Sequence, residues 1–227
     1  MPSSTEAMSR HLQQLKALRG AGRSTPLRLL ELKRWQSARL AASYADVAGE
    51  PRFSAATGFF LDDLYGPKDF SARDQEMMRI VPVMARILPA SAIETAALAI
   101  ELEALSEDLD RRLAQALAAG PITEATYADA YRSSSTRGER ERQVELIGEV
   151  GRRLDALVKK PLVFGTLKLM RRPARMAGLA DLQDFLERGF DAFRAMRGAE
   201  PFIELVRERE TAILNRLFSG AAEPFSL

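Results

Sequence analysis

Residues 91–119 carry neither glycine nor proline, and within that run leucine recurs at Leu98, Leu102, Leu105, Leu109 and Leu113. At 100° per residue these five lie within about 80° of one another, which marks an amphipathic helix with a single apolar stripe. Glu103, Glu107 and Asp110 are expected to project away from that stripe toward water. Ser91 with Glu94 three residues on resembles a capping pair, and Gly120-Pro121 stops the helix. A helix this long buries its stripe only against several partners, so it predicts the central member of a helical bundle.

The rest of the chain has the same punctuation. A first amphipathic helix over residues 6–19 aligns Met8, Leu12, Leu15 and Leu18 and ends at Gly20 and Gly22. Thr25-Pro26 opens a second, with Leu29, Leu32, Leu40, Tyr44 and Val47 on one broad face. A third spans residues 54–65 and stops at Gly66-Pro67, and Ser71 with Asp74 caps the next. Beyond the central helix a short one covers residues 123–132, and residues 133–138 read as a mobile polar loop. Gly148 and Gly151 in the helix over residues 139–160 favour close approach of a neighbour. Pro161 and Pro173 bracket the following element, Asp181 caps a helix, and the last helix opens near Pro201. The expected fold class is all-α: a single compact multi-helix bundle of nine or ten helices. Residues 25–227 form one domain, and the amphipathic helix within residues 1–24 packs more loosely against it.

Composition narrows the chemistry. With no Cys and one His, at position 11, the chain has no disulfide, no Cys-ligated zinc, no thiolate nucleophile and no motif that needs two histidines. No cofactor and no metal site are expected. There is no secretory signal pattern at the N-terminus and no apolar run long enough for a transmembrane helix, so a cytoplasmic location is expected. The net charge of +2 hides a segregation. Residues 7–30 hold five cations and no acid, residues 62–110 eleven acids against four bases, and residues 156–180 six cations and no acid.

The segment least like plain scaffold is residues 59–70, FFLDDLYGPKDF, which gathers three Phe, a Tyr and three Asp around a helix stop. Asp62, Asp63, Tyr65 and Asp69, with Arg73 just beyond, are the candidate ligand or partner contacts. In a plain scaffold the Phe residues would fill the core and the acids would face water or pair with Arg73 and Arg79. FFLDDLY resembles the signature of the bacterial "FFLEELY motif" proteins, with Asp62 and Asp63 where that pattern carries two Glu. GPKDFSARD, LQDFLERGF and RERE are also similar to that family. The resemblance implies a compact helical protein and carries over no activity, cofactor or catalytic residue.

Adjacent acids on a helix are also how all-α isoprenoid synthases hold magnesium and diphosphate. Here Gly66-Pro67 carries the third acid, Asp69, off the helix, and Glu107 and Asp110 are expected on a wet face, so that chemistry is disfavoured. Glu101, at the edge of the leucine stripe, needs a partner if buried: Arg73, Arg79, Arg86 or a Tyr hydroxyl. An interhelical ion pair is the simpler role for it, and a general acid or base the sharper one.

The strongest physical feature is the basic amphipathic segment with Lys159, Lys160, Lys168, Arg171, Arg172 and Arg175. Such a helix either lies on an anionic membrane surface or acidic protein partner, or buries its apolar side at home and aims its cations at the acidic middle. Nucleic acid is disfavoured despite a pI near 9.0, since no recognition motif accompanies the cations and the acidic middle repels phosphate. No nucleotide-binding glycine motif and no G-x-S-x-G elbow is present. The expected function is therefore a non-catalytic module that binds a partner or a surface. The alternative is a small-ligand-binding protein or carboxylate-based enzyme with its site near FFLDDLYGPKD. Oligomeric state is open.

Overall fold

A computed structural model describes residues 4–20, 26–64, 76 and 89–226. Among the described residues there are eleven α-helices and no strand, in keeping with the all-α expectation. They are α1 Ser4–Arg19, α2 Leu27–Ser43, α3 Ala45–Ala48, α4 Ser54–Phe59, α5 Ala90–Ala116, α6 Glu124–Ser134, α7 Arg137–Val158, α8 Pro161–Leu169, α9 Arg171–Met176, α10 Ala180–Ala195 and α11 Glu200–Ser219. A five-residue π-turn, Phe60–Leu64, continues α4.

Helix α5 is central, flanked by α1, α2, α6 and α7, and α7 packs in turn against α11. Its N-terminal half meets α1 through Ile93, Ala97 and Ile100 against Met8 and Leu12. Leu109 and Leu113, fully enclosed, carry the stripe into the main body, while Leu98, Leu102 and Leu105 are only partly buried. Two apolar cores result. One joins α2, α4, α10 and α11 around Phe53, Met196 and Phe202. The other joins α2, α5, α6 and α11 around Leu32, Leu113, Tyr127 and Leu217, with Trp35 stacked on Tyr127 at 4.5 Å between ring centroids.

The close approach expected at the glycines of α7 is present. A Cβ added at Gly151 would lie 2.9 Å from Ile203 Cγ1, inside any real contact distance, so glycine at this position lets Ile203 of α11 approach α7 that closely. Gly189 does the same on α10, where an added Cβ would fall 2.8 Å from the Phe59 ring.

Several local expectations are corrected. The face of α5 expected to be wet is covered by α1 and α2: Glu107 is buried, and it accepts from Lys33 at 2.7 Å and Arg111 at 2.8 Å with Arg19 3.5 Å away. Burial pushes its pKa up, but those three cations outweigh it and hold the carboxyl below its usual value. Residues 133–138 form no loose loop. Ser133 and Ser134 finish α6, and Thr136 caps α7 through a reciprocal box with Glu139. Arg112 at 2.7 Å and the Thr136 N–H together hold the Glu139 carboxyl down to about 2. Pro26 is the N-cap of α2, one position later than expected. Asp181 sits in the first turn of α10 without capping it, and the Glu76 carboxylate accepts the Leu182 N–H at 2.8 Å in its place.

Candidate functional site

The sequence-derived candidates scatter. Tyr65, Asp69 and Arg73, like Arg79, Arg86, the Gly66-Pro67 stop and the Ser71–Asp74 cap, lie outside the described residues. Asp62 is exposed, whereas Asp63 is buried and takes a two-pronged bond from Arg188 of α10, at 2.9 and 3.1 Å. Glu101 faces the other flank of α5 and pairs with Arg142 of α7 at 2.8 Å. Glu94 does likewise with Arg153 at 2.9 Å. Asp63, Glu94, Glu101, Glu103 and Glu107 thus meet cations across helix interfaces. Among the described residues no group of three His, Cys, Asp or Glu could hold a metal ion, and no helix is long and apolar enough to cross a membrane.

The basic segment forms the arm α8–α9, and it is unlike every other long element. No residue of α8 is buried. Leu162, Leu169 and Met176 are 85%, 80% and 89% exposed. They recur every seven residues, and two turns of helix bring them back to within about 20° of one line, so they form a single apolar row. α8 ends at Leu169 and α9 resumes at Arg171, so Leu162 and Leu169 share one helix and Met176 ends the next. Of the cations, Arg171 is tied to Glu187 of α10, and Arg175 reaches Asp184 at 3.5 Å. Lys159 binds Asp155 at 2.5 Å and Lys160 the Ser91 hydroxyl at 3.0 Å. Lys168 rides on the Phe164 ring at 4.2 Å. The Arg172 side chain is exposed and makes no ion pair among the described residues.

The interior holds the inverse arrangement. Between the two apolar cores lies a cavity of about 100 Å³ whose wall includes Arg39, Asp110, Tyr131, Arg140 and Glu210. Arg39 donates to Glu210 at 3.1 Å, and the Tyr44 hydroxyl donates to the same oxygen at 2.9 Å. Burial works against the Arg39 cation, but Glu210 and the nearby Tyr127 phenol more than offset it, and its pKa stands above the ordinary arginine value. Buried Arg140 lies over the Tyr131 ring at 4.1 Å and donates to Ser135 Oγ at 3.0 Å and Gln143 Oε1 at 3.1 Å. Gln143 in turn donates to Ser106 at 2.8 Å. Asp110 accepts from Gln36 at 2.9 Å, yet burial outweighs that bond and the Lys33 and Arg140 charges, and its carboxyl titrates above the usual range. Burial likewise pushes the Tyr131 phenol upward. Two donors, Arg39 Nε and Arg140 Nη2, are buried with no partner.

Sequence reasoning singled out none of Arg39, Arg140 and Glu210, and it placed Asp110 in water. A signal was present in the register of the apolar rows. Gln36 stands between Leu32 and Leu40, Glu210 between Val206 and Ile213, and Arg140 four residues before Val144, each at helical spacing on a core-facing row. A polar residue in step with buried neighbours is where an interior network begins.

Fold and site define a class: an all-α bundle with a charged interior cavity and an outward apolar arm. The chain belongs to a family described as a domain of unknown function (DUF8198), whose pattern it matches over residues 16–224. Neither the curated proteins nor the solved structures give a match to this chain.

Proposed function

We propose that this protein is a cytoplasmic, non-catalytic surface-binding module, that its docking element is the arm α8–α9, and that its target is an anionic lipid surface. The observation that carries the reading is the row Leu162, Leu169 and Met176, each at least 80% exposed on helices that make little core of their own. A large apolar row left in water is a cost that a monomeric fold avoids unless something covers it. Lys168, Arg172 and Arg175 flank the row and supply the attraction to negative charge. Each inserted Leu or Met contributes about 1.5–3 kcal/mol, and each cation close to an anionic surface about 1 kcal/mol, enough in sum for reversible binding.

Co-sedimentation with vesicles tests it. The full chain is expected to pellet with phosphatidylglycerol-containing vesicles, to pellet far less with phosphatidylcholine alone, and to be released by salt. A triple variant, Leu162→Ser, Leu169→Ser and Met176→Ser, is expected to stay folded and lose binding. Equal binding to neutral and anionic vesicles, or none to either, removes the proposal, and an acidic protein partner then becomes the reading to test.

A further inference from the structure

We infer that the cavity between the two apolar cores is a binding site for a small aliphatic carboxylate, held by Arg39 and Arg140. The site uses none of the residues of the docking arm. Three observations point to it. The first is the pair of orphaned donors: Arg39 Nε and Arg140 Nη2 are buried and have no partner among the described residues, and a buried guanidinium N–H without an acceptor is costly enough to be rare. Arg140 itself is 3% exposed, so bulk water does not satisfy it.

The second is the charge count. Two guanidinium groups face the cavity, and Glu210 balances one of them at 3.1 Å. Asp110, the other acid in the wall, accepts from Gln36 at 2.9 Å and makes no hydrogen bond to either arginine. Arg140 is therefore buried with no carboxylate bonded to it among the described residues, and a monoanion supplies one. Tyr131, stacked under Arg140 at 4.1 Å, cannot do so, because its phenol is held protonated.

The third is the mixed wall. Leu40, Phe60, Val144 and Val206 line the same space as the arginines, so the wall offers both polar and apolar contacts. An inorganic oxyanion needs donors all round, whereas a carboxylate with a short alkyl tail needs them at one end and matches the planar fork of arginine there. Size sets the tail. A dry cavity of about 150 Å³ takes a benzene ring, so the volume here, about 100 Å³, suits roughly four or five heavy atoms: acetate or propionate. So small a ligand makes few contacts, and its Kd is expected at roughly 0.1–10 mM.

Calorimetric titration and thermal melts of the full chain with sodium propionate test this, against sodium chloride and sodium phosphate at matched ionic strength. Saturable binding of one propionate per chain is expected, with the melting midpoint raised by roughly 5–10 °C at a hundredfold excess over Kd. Arg140→Gln is expected to weaken binding at least tenfold. Because that variant could also fail to fold, Val144→Phe serves as the second arm: it leaves both arginines in place, fills the cavity, and is expected to abolish binding while the chain stays folded. No saturable propionate binding to the wild-type chain overturns the inference. So does phosphate binding as tightly as propionate, and so does propionate binding that survives Val144→Phe.

Discussion

The interior cavity and the arm α8–α9 break the same rule in opposite directions. Inside, Arg39, Arg140, Glu210 and Asp110 stand where apolar side chains would fill space, and two of their donors go unmatched. Outside, Leu162, Leu169 and Met176 stand where charges would be expected. Elsewhere Glu107, also charged and buried, is surrounded by three cations, and Leu113 is fully enclosed. A fold able to satisfy Glu107 has no general difficulty with buried charge. The two exceptions are therefore local features, and departures of this kind in an otherwise consistent fold are where binding is usually found.

The largest expected effect tests whether the interior layer is sealed. Glu210→Leu removes an acceptor shared by Arg39 and Tyr44, and urea unfolding is expected to show a loss of about 3 kcal/mol, since breaking a largely buried pair leaves the other charge uncompensated. A loss near zero would mean that water reaches Arg39 freely, and the contrast with the arm would shrink to one of degree.

A smaller effect concerns the proton on Asp110. Its folded pKa lies above the unfolded value near 3.8, so the native state binds more protons in that window and its stability falls as pH rises through it. Glu107 works the other way. Its folded pKa is depressed, and the stability it brings is present above the unfolded value and lost on acidification. Asp110→Asn is thus expected to be more stable than wild type by about 1 kcal/mol at neutral pH, with the difference shrinking toward pH 4 in urea midpoints taken across that range. A difference that does not change with pH would show that the Asp110 carboxyl titrates as if in water.

The smallest effect belongs to the arm. Leu169→Ser is expected to change stability by no more than about 0.5 kcal/mol, where a fully buried leucine such as Leu113 costs about 3–5 kcal/mol when cut to Ala. A large loss at Leu169 would mean that the row is part of the core after all.

Much of the scaffold was legible because its determinants are local. Leu29, Leu32, Tyr44 and Val47 were aligned by spacing alone and are all buried, and the glycine at 151 marked a close contact that Ile203 makes. The arm was legible for the same reason, as a dense basic and apolar run, but not its exposure, which the structure decided. The cavity was not. Its polar groups come from α2, α5, α7 and α11, a single helix shows no more than a polar residue in step with its apolar row, and only packing brings Arg39 beside Glu210, 171 residues away. Asp110 and Glu107 were placed in water for a related reason: an isolated helix has a wet face until another covers it, and α1 and α2 cover this one.

The amino-acid order alone determined that the chain would be helical, where most helices start and stop, and that its charges would fall in blocks, because periodicity and capping act within a turn or two. Tertiary packing decided which charges are buried, which helix shelters them, and that Glu76 caps α10 from 106 residues away. Desolvation and ion pairing depend on distance in space, and no short-range pattern in the chain encodes that.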